Sequence, residues 1–444
     1  MKPRFSPILS LTVILLVVVS CSPRLTSTVA TPPQESATLS RGADFGQRYT
    51  LSRMVVLSRH NIRSPLSGGG SVLARITPHT WFPWTSAPGE LSLKGGVMET
   101  RMGQFFRQWL EAEGLLEKNE VPAPGTVRFY ANSPQRTIAT AQYFSSGMLP
   151  VANVRVEHHC EIGQMDPVFN PQITRVSDAF LEKAYSEIAD LAGRPAWQEA
   201  GAVIPEEFAV LENVLDIRQS PAAKNDTTAF RTDDLSIQFV PGKEPAMKGG
   251  LKIATSAADA LVLQYYEEPD PEKAAFGHRL SRKDWEKIAA VKEWYGDVLF
   301  TAPSVAVNVA HPLLQELLSE MKVTCRKFSF LCGHDSNIGS VLAALQCEPY
   351  QAPGGIEQKT PIGSKVVIEC WKGADGKEYA DLLLVYASAD QIRSEAALTK
   401  ENPPMIIQLH LQGLDPNPDG LYRLPDLENR FAQAIQRYDE SIPF

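Results

Sequence analysis

Three separate stretches of this 444-residue chain share one pattern: a short apolar run that stops at polar or charged residues, with a helix start or a proline close behind. Met54-Val55-Val56-Leu57 runs into Ser58-Arg59-His60-Asn61-Ile62-Arg63-Ser64-Pro65. Thr126-Val127-Arg128-Phe129-Tyr130-Ala131 leads to Asn132-Ser133-Pro134-Gln135-Arg136, and Phe328-Ser329-Phe330-Leu331-Cys332 leads to Gly333-His334-Asp335-Ser336-Asn337. Such runs read as strands buried in a sheet, and in open α/β sheets ligands bind beyond the carboxyl ends of the strands. The pattern predicts an α/β fold whose site is assembled from three strand ends.

The residues delivered there suit phosphate chemistry. Arg59 and Arg63 are permanently cationic and offer forked donors that match phosphate oxygens. Two fixed positive charges disfavour the protonated form of His60, so its imidazole is expected to stay neutral and nucleophilic. With Ser133 as N-cap and Pro134 at the first helical position, Arg136 falls in a first helical turn, where backbone N–H groups already favour an anion. His334 and Asp335 add a further phosphate donor and a carboxyl group. Singly, each element has a plainer reading: a basic strand end in solvent, a surface arginine at a helix start, a core histidine beside a capping aspartate. Jointly they supply a nucleophile, an anion cradle and an acid. His60 would form a phosphohistidine while Asp335 protonates the departing oxygen, and water would then release inorganic phosphate. Since the acid must carry a proton for the first step, activity is expected to favour acidic pH. The scheme calls for no metal or other cofactor, and the sequence has no His and Asp cluster at metal-ligand spacing.

A net charge of -8 argues against a nucleic-acid partner, which normally requires a basic excess, so any phosphate affinity must be local. The amino terminus reads as a targeting segment. Lys2 and Arg4 precede an apolar run from Ile8 to Val19, and Val18-Val19-Ser20-Cys21 resembles a bacterial lipobox. The run is shorter than the roughly 20 residues that span a bilayer. We therefore expect a lipoprotein signal peptide over 1–20, lipidation of Cys21 and a Ser/Thr/Pro-rich tether over 21–45, which would place the protein in the bacterial cell envelope, lipid-anchored and facing the periplasm. The five remaining cysteines show no CxxC spacing, and free buried thiols or partial oxidation both fit them.

Helical periodicity marks a segment starting at Leu91, four segments between Phe180 and Phe300, and Val305 to Met321. Strand signals thin out from Val156 to Trp285, which predicts a mostly helical cap over 156–289 on an α/β core of 46–155 and 290–444. Within the cap, Glu212 is a carboxylate that faces either the pocket or solvent. Val366 to Trp371 and Asp381 to Tyr386 flank Asp375-Gly376 as a hairpin, and Met405 to Leu411 adds a strand.

These residues match a known pattern. Arg59 to Pro65 resembles the Arg-His-Gly-x-Arg-x-Pro signature of the histidine acid phosphatases, and His334-Asp335 resembles their distal His-Asp motif. The likeness extends through LSLKGGVMETRMGQF, YANSPQRTIATAQ, MDPVFNPQIT, LQYYE and TPIGSK, and is nearest to the bacterial glucose-1-phosphatase branch. The resemblance implies a phosphoglycerate-mutase-like three-layer core with a helical cap, His60 as nucleophile, Asp335 as proton donor, and Arg59, Arg63, Arg136 and His334 as phosphate ligands. It also implies Glu212 as a sugar contact, and a small phosphomonoester such as glucose 1-phosphate as substrate. Asn61 stands where the family usually has glycine, and asparagine is expected to keep a left-handed backbone there. Competing readings are a phytase acting on inositol hexakisphosphate, a sugar-phosphate-binding lipoprotein without catalysis, and a phosphotransferase with a second sugar as acceptor. The oligomeric state is not readable from the sequence.

Overall fold

In the computed structural model, the residues described are 39, 41–66, 71–191, 205–225 and 236–441. The expected signal peptide, Cys21 and most of the expected tether lie outside them. Ten strands are present among these residues: β1 (Tyr49–Arg59), β2 (Val127–Ala131), β3 (Val156–Glu157), β4 (Ser236–Gln238), β5 (Ala246–Lys248), β6 (Phe328–Gly333), β7 (Lys365–Gly373), β8 (Glu378–Tyr386), β9 (Met405–Leu409) and β10 (Tyr422–Arg423). Eight form one sheet in the order β10-β8-β7-β1-β6-β2-β3, with β9 also paired to β8. The β1, β6, β2 and β3 ladders are parallel, while β7 to β10 join antiparallel.

Register decides the site. Arg59 lies opposite Gly333, and Ala131 opposite Cys332. The three parallel strands therefore end level with one another, and the residues that follow them emerge along one edge.

The apolar runs lack alternation because both faces of the sheet are covered. Met54 and Val56 point into one cluster with Phe106 and Phe144, from the helices Leu93–Ala112 and Gln135–Met148. Val55 and Leu57 point into the other, with Leu313, Ile338 and Phe431 from Pro303–Lys322, Asp335–Ala344 and Leu424–Ser441. All four β1 side chains are at most 2% exposed, so each contributes roughly 1.5–3 kcal/mol of burial, and a charge at Val56 would break the layer. The result is the three-layer α/β sandwich expected. The first two covering helices touch backbone to backbone: a Cβ on Gly103 would meet the Phe144 carbonyl oxygen at 2.1 Å, and one on Gly147 the Thr100 oxygen at 2.0 Å.

The described residues between β3 and β6 are mainly helical, and the helix Arg282–Phe300 runs through the boundary expected at 289/290. This stretch also holds a β4–β5 hairpin that periodicity does not reveal, since two three-residue strands carry too few positions to show alternation. The C-terminal helix Leu424–Ser441 is likewise absent from the sequence reading. No helix among the described residues is long and apolar enough to cross a membrane. Cys160, Cys325, Cys332, Cys347 and Cys370 are all free thiols.

Candidate functional site

At the edge where β1, β6 and β2 end, a cavity of about 850 Å³ is lined by His60, Arg63, Arg136, His334 and Asp335. The backbone itself fixes where the first histidine emerges. The His60 N–H donates to the Gly333 carbonyl at 3.0 Å, and the Arg59 N–H to the Ser364 carbonyl at 2.9 Å, so the turn away from the sheet is pinned on both sides.

The His60 ring is then oriented by its own loop. Its Nδ1 lies 2.8 Å from the Asn61 carbonyl oxygen, an acceptor only, so Nδ1 carries the proton and Nε2 keeps its lone pair. Burial, reinforced by Arg136, His334, Arg63 and Arg59, pushes His60 well below the ordinary histidine range. A buried neutral imidazole among guanidinium groups is the arrangement the sequence predicted.

Asn61 does not adopt the left-handed backbone expected of it: the described non-glycine residues with positive φ are Asn119, Asp216, Phe276, Gln346 and Glu395. Its side chain explains its presence instead. Asn61 Nδ2 donates to Glu99 Oε1 at 2.7 Å while its Oδ1 accepts from the Ile62 N–H at 2.8 Å. Glu99 also pairs with fully buried Lys365 at 3.0 Å, so the amide ties the loop after β1 to a buried ion pair.

His334 is held as firmly, and in a defined tautomer. Asn132 Oδ1 accepts from the N–H groups of Ser133 and Asp166, at 2.8 and 2.9 Å, which leaves its Nδ2 to donate to His334 Nε2 at 2.8 Å. The His334 proton must then sit on Nδ1, on the side of Arg136, whose Nη2 is 3.5 Å away. Burial and the Arg136 charge push His334 down to about 3, so it stays a neutral donor at any working pH.

The helix carrying Arg136 begins one residue later than expected, at Gln135, with Pro134 at the capping position. Ser133 does not cap it because its hydroxyl accepts from the Cys160 N–H at 3.1 Å. Burial and Arg63 push Arg136 down to about 10, which leaves it charged under acidic conditions. It has no carboxylate within ion-pair distance among the described residues, and the Nε atoms of Arg59, Arg63 and Arg136 are all buried without a hydrogen-bond partner. Buried donors left in that state are costly unless a ligand supplies acceptors.

Asp335 opens the helix Asp335–Ala344, with His334, rather than the aspartate, in the capping position. Its Oδ1 accepts from the Ser336 N–H at 2.9 Å, which turns Oδ2 toward Lys292 at 2.9 Å and Arg59 at 3.7 Å. Burial would raise this carboxyl, but Lys292 and then Arg59 outweigh it and hold Asp335 well below the usual range. In the ligand-free protein, Lys292 and Arg59 therefore favour the carboxylate form of Asp335.

Three charged residues of the site escape the sequence reading. Lys292 sits among Asp335, Asp259 at 3.4 Å and Glu357 at 3.6 Å. Asp259 also holds Arg63 at 3.0 Å, and Glu357 takes Arg59 at 2.7 Å. These carboxylates fix the guanidinium groups and offset part of their charge. Each lies on a helix or loop where a charged residue reads as a solvated face, so nothing in the sequence marks it. Glu212 is partly buried on the helix Pro205–Val214 and does not line the cavity, whereas Glu244, in the β4–β5 turn, does. Among the described residues, the one group with metal-ligand proximity, His79, Asp216 and His278, is also absent from the cavity lining.

The chain is 38% identical over 397 residues to a glucose-1-phosphatase of Salmonella typhimurium, covering 87% of this chain and 93% of the relative. It is 37% identical over 395 residues to a glucose-1-phosphatase of Providencia rettgeri, covering 87% and 92%. Among solved structures, the apo form of Hafnia alvei phytase matches with a TM-score of 0.80 and 25% identity, covering 87% of this chain and 97% of that one. Residues 50–385 match the histidine phosphatase superfamily, branch 2, and the chain belongs to that family of phosphoric monoester hydrolases.

Proposed function

We propose that the protein hydrolyses a sugar monophosphate of the glucose 1-phosphate type through a phosphohistidine at His60. The observation that carries this is the fixed tautomer of His60, which leaves Nε2 unprotonated in a cavity lined by Arg63 and Arg136, whose buried Nε atoms lack hydrogen-bond partners. Arg59, Arg63, Arg136 and His334 bind the phosphoryl oxygens and the charge that develops on them. Nε2 bonds to phosphorus as the ester P–O bond breaks, and the departing oxygen takes a proton from Asp335. Water then attacks the phosphohistidine, giving up its proton to the Asp335 carboxylate, and inorganic phosphate leaves.

Asp335 starts as a carboxylate, so its proton arrives with the substrate. The second ionisation of a phosphomonoester lies near pH 6, so in acid the bound group is a monoanion. The negative charge of the bound phosphate offsets Lys292 and Arg59, the two cations that hold Asp335 down, so the proton can pass from phosphate to carboxylate within the complex. Activity is then lost as pH rises through roughly 6, because the dianion brings no proton.

A monophosphate suits the cavity better than a polyphosphate. Beyond the phosphate cradle the lining includes Glu244, Glu293, Asp297 and Glu348 against Lys252 and Lys359, and Lys359 is paired with Asp297. Burial pushes Glu293 up to about 7 and raises Glu244 and Asp297, so in acid this rim carries little charge of either sign, and a hexakisphosphate would find few cations there, whereas a neutral sugar needs none. Glu244 lines the cavity and Glu212 does not, which supports Glu244 as the carboxylate that meets sugar hydroxyls. Steady-state assay of the purified protein with glucose 1-phosphate and phytate tests this. We expect a kcat/KM for the sugar phosphate at least roughly tenfold above that for phytate, about 1.4 kcal/mol in transition-state binding, and the reverse order would make it a phytase.

For the amino terminus we propose lipidation at Cys21, with the catalytic part in the periplasm on the tether 21–45, and a cap over 156–289 on the core 46–155 and 290–444. Palmitate labelling that persists in a Cys21→Ala variant would overturn the anchor.

A further inference from the structure

Outside the cavity, three segments far apart in sequence bring two imidazoles to one carboxylate. His79 lies 137 positions before Asp216, and His278 lies 62 after it. His79 Nε2 is 2.7 Å from Asp216 Oδ2, and His278 Nε2 is 3.0 Å from the same oxygen. The donor atoms of all three lie within 4.8 Å of one another. Hydrogen bonding alone does not require such convergence. The second carboxylate oxygen, Oδ1, instead accepts from Gln219 Nε2 at 3.4 Å.

The supports are built as well. Asp216 takes a left-handed backbone, φ 47 and ψ 43, which aims its carboxylate out of the chain path. Phe276, a bulky residue with φ 54, stacks on His79 with ring centres 4.9 Å apart and planes 13° from parallel. A bulky side chain in that region is an outlier that its surroundings must enforce, and here it fixes the imidazole plane. His79, Asp216 and His278 keep between 26% and 29% of their side-chain surface exposed, so solvent reaches one side. Asp270 and Glu272 border the adjoining depression with His79.

We propose that His79, Asp216 and His278 bind one divalent transition-metal ion of the zinc class, with water completing a tetrahedral set. Two imidazoles and a carboxylate are ordinary zinc donors. Metal–ligand bonds of about 2.0–2.2 Å place tetrahedral ligands about 3.3 Å apart, so each imidazole nitrogen, now 2.7 or 3.0 Å from Asp216 Oδ2, needs to move off that oxygen by roughly 0.3–0.6 Å. On binding, each Nε2 gives up the proton it donates to Asp216 Oδ2, which passes to Nδ1 or to solvent, and offers its lone pair to the ion. The site is a clamp rather than a reaction centre. It joins the segment that carries Leu73, a wall of the substrate cavity, to the end of the Pro205–Val214 helix and to the turn before Arg282–Phe300.

The test uses chelator-treated full-length protein, equilibrium dialysis against ZnCl2 and a thermal melt with and without it. We expect one tightly held equivalent and a Tm higher by about 3 °C or more at saturating zinc. The double variant His79→Asn/His278→Gln should lose that equivalent and the Tm response while hydrolysing p-nitrophenyl phosphate normally. Equal zinc binding by wild type and variant, or no stoichiometric binding by the wild type, overturns the site. Should the variant not fold, CoCl2 added to the wild type decides: one equivalent must give tetrahedral ligand-field bands, and their absence refutes the proposal.

Discussion

Replacing Asp335 by asparagine separates proton donation from charge. The amide oxygen introduced by Asp335→Asn can still accept from the Ser336 N–H, so the helix start survives. What disappears is the transferable proton and one negative charge. Loss of a general acid typically costs about 10²–10⁴ in rate, roughly 3–5.5 kcal/mol, when the leaving group is a poor one such as a sugar hydroxyl. The charge change works the other way on binding. At about 5 Å and an effective dielectric near 20, a carboxylate repels a phosphate charge by roughly 3 kcal/mol. With 35% of the Asp335 side chain exposed, solvent screening cuts this to about 1 kcal/mol, roughly fivefold in affinity. Lys292 and Arg59 are also freed for the anion. Rapid-quench measurement of phosphoenzyme formation should therefore show a fall of about 10²–10⁴ with glucose 1-phosphate and of less than roughly tenfold with p-nitrophenyl phosphate. Inorganic phosphate should inhibit the variant at about fivefold lower concentration. Equal rate losses with both substrates would refute the proton-donor role, and weaker phosphate inhibition would refute the electrostatic reasoning.

Further outcomes follow from the same site. Lys292→Met leaves Asp335, Asp259 and Glu357 facing one another without their shared ammonium; breaking a buried pair costs about 3–5 kcal/mol, so calorimetry should show a clearly lower Tm and phosphate binding at least roughly tenfold weaker, and unchanged values would show that Lys292 is a bystander. Because His334 is pushed down to about 3 in the fold, against about 6.5 when unfolded, the unfolded chain takes up the extra proton as pH drops. Stability is therefore lost as pH falls from about 6.5 toward 3, by roughly 3 kcal/mol at about pH 4, and His334→Gln should flatten that fall in urea titrations at about pH 7 and pH 4. Glu244→Ala should raise KM for glucose 1-phosphate severalfold and spare p-nitrophenyl phosphate, while Glu212→Ala should change neither.

The parts legible in the sequence were those that local chemistry marks. Apolar runs without alternation announced strands covered on both faces, and the abrupt polar ends at Arg59-His60, Asn132 to Arg136 and His334-Asp335 announced what the parallel register brings together. What stayed hidden depends on tertiary approach. Asp259, Lys292 and Glu357 read as surface charges until the helices fold over the strand ends. Glu244 rides a hairpin too short to show a period, whereas Glu212, the sugar contact the resemblance implies, lies outside the cavity lining. Asn61 looked like a backbone choice and is a side-chain one, visible only once Glu99 and Lys365 are buried beside it. The His79, Asp216 and His278 cluster spans separations that no spacing rule covers.

The central claim is that His60 Nε2 carries the phosphoryl group between the two halves of the reaction. The direct measurement is mass spectrometry of peptides from enzyme quenched during turnover of glucose 1-phosphate, digested at a pH where phosphohistidine survives. The account predicts phosphate on His60 in wild type, accumulating when water attack is slowed, and none in a folded, inactive His60→Ala variant. Phosphate found on another residue, or turnover that persists without His60, would contradict it.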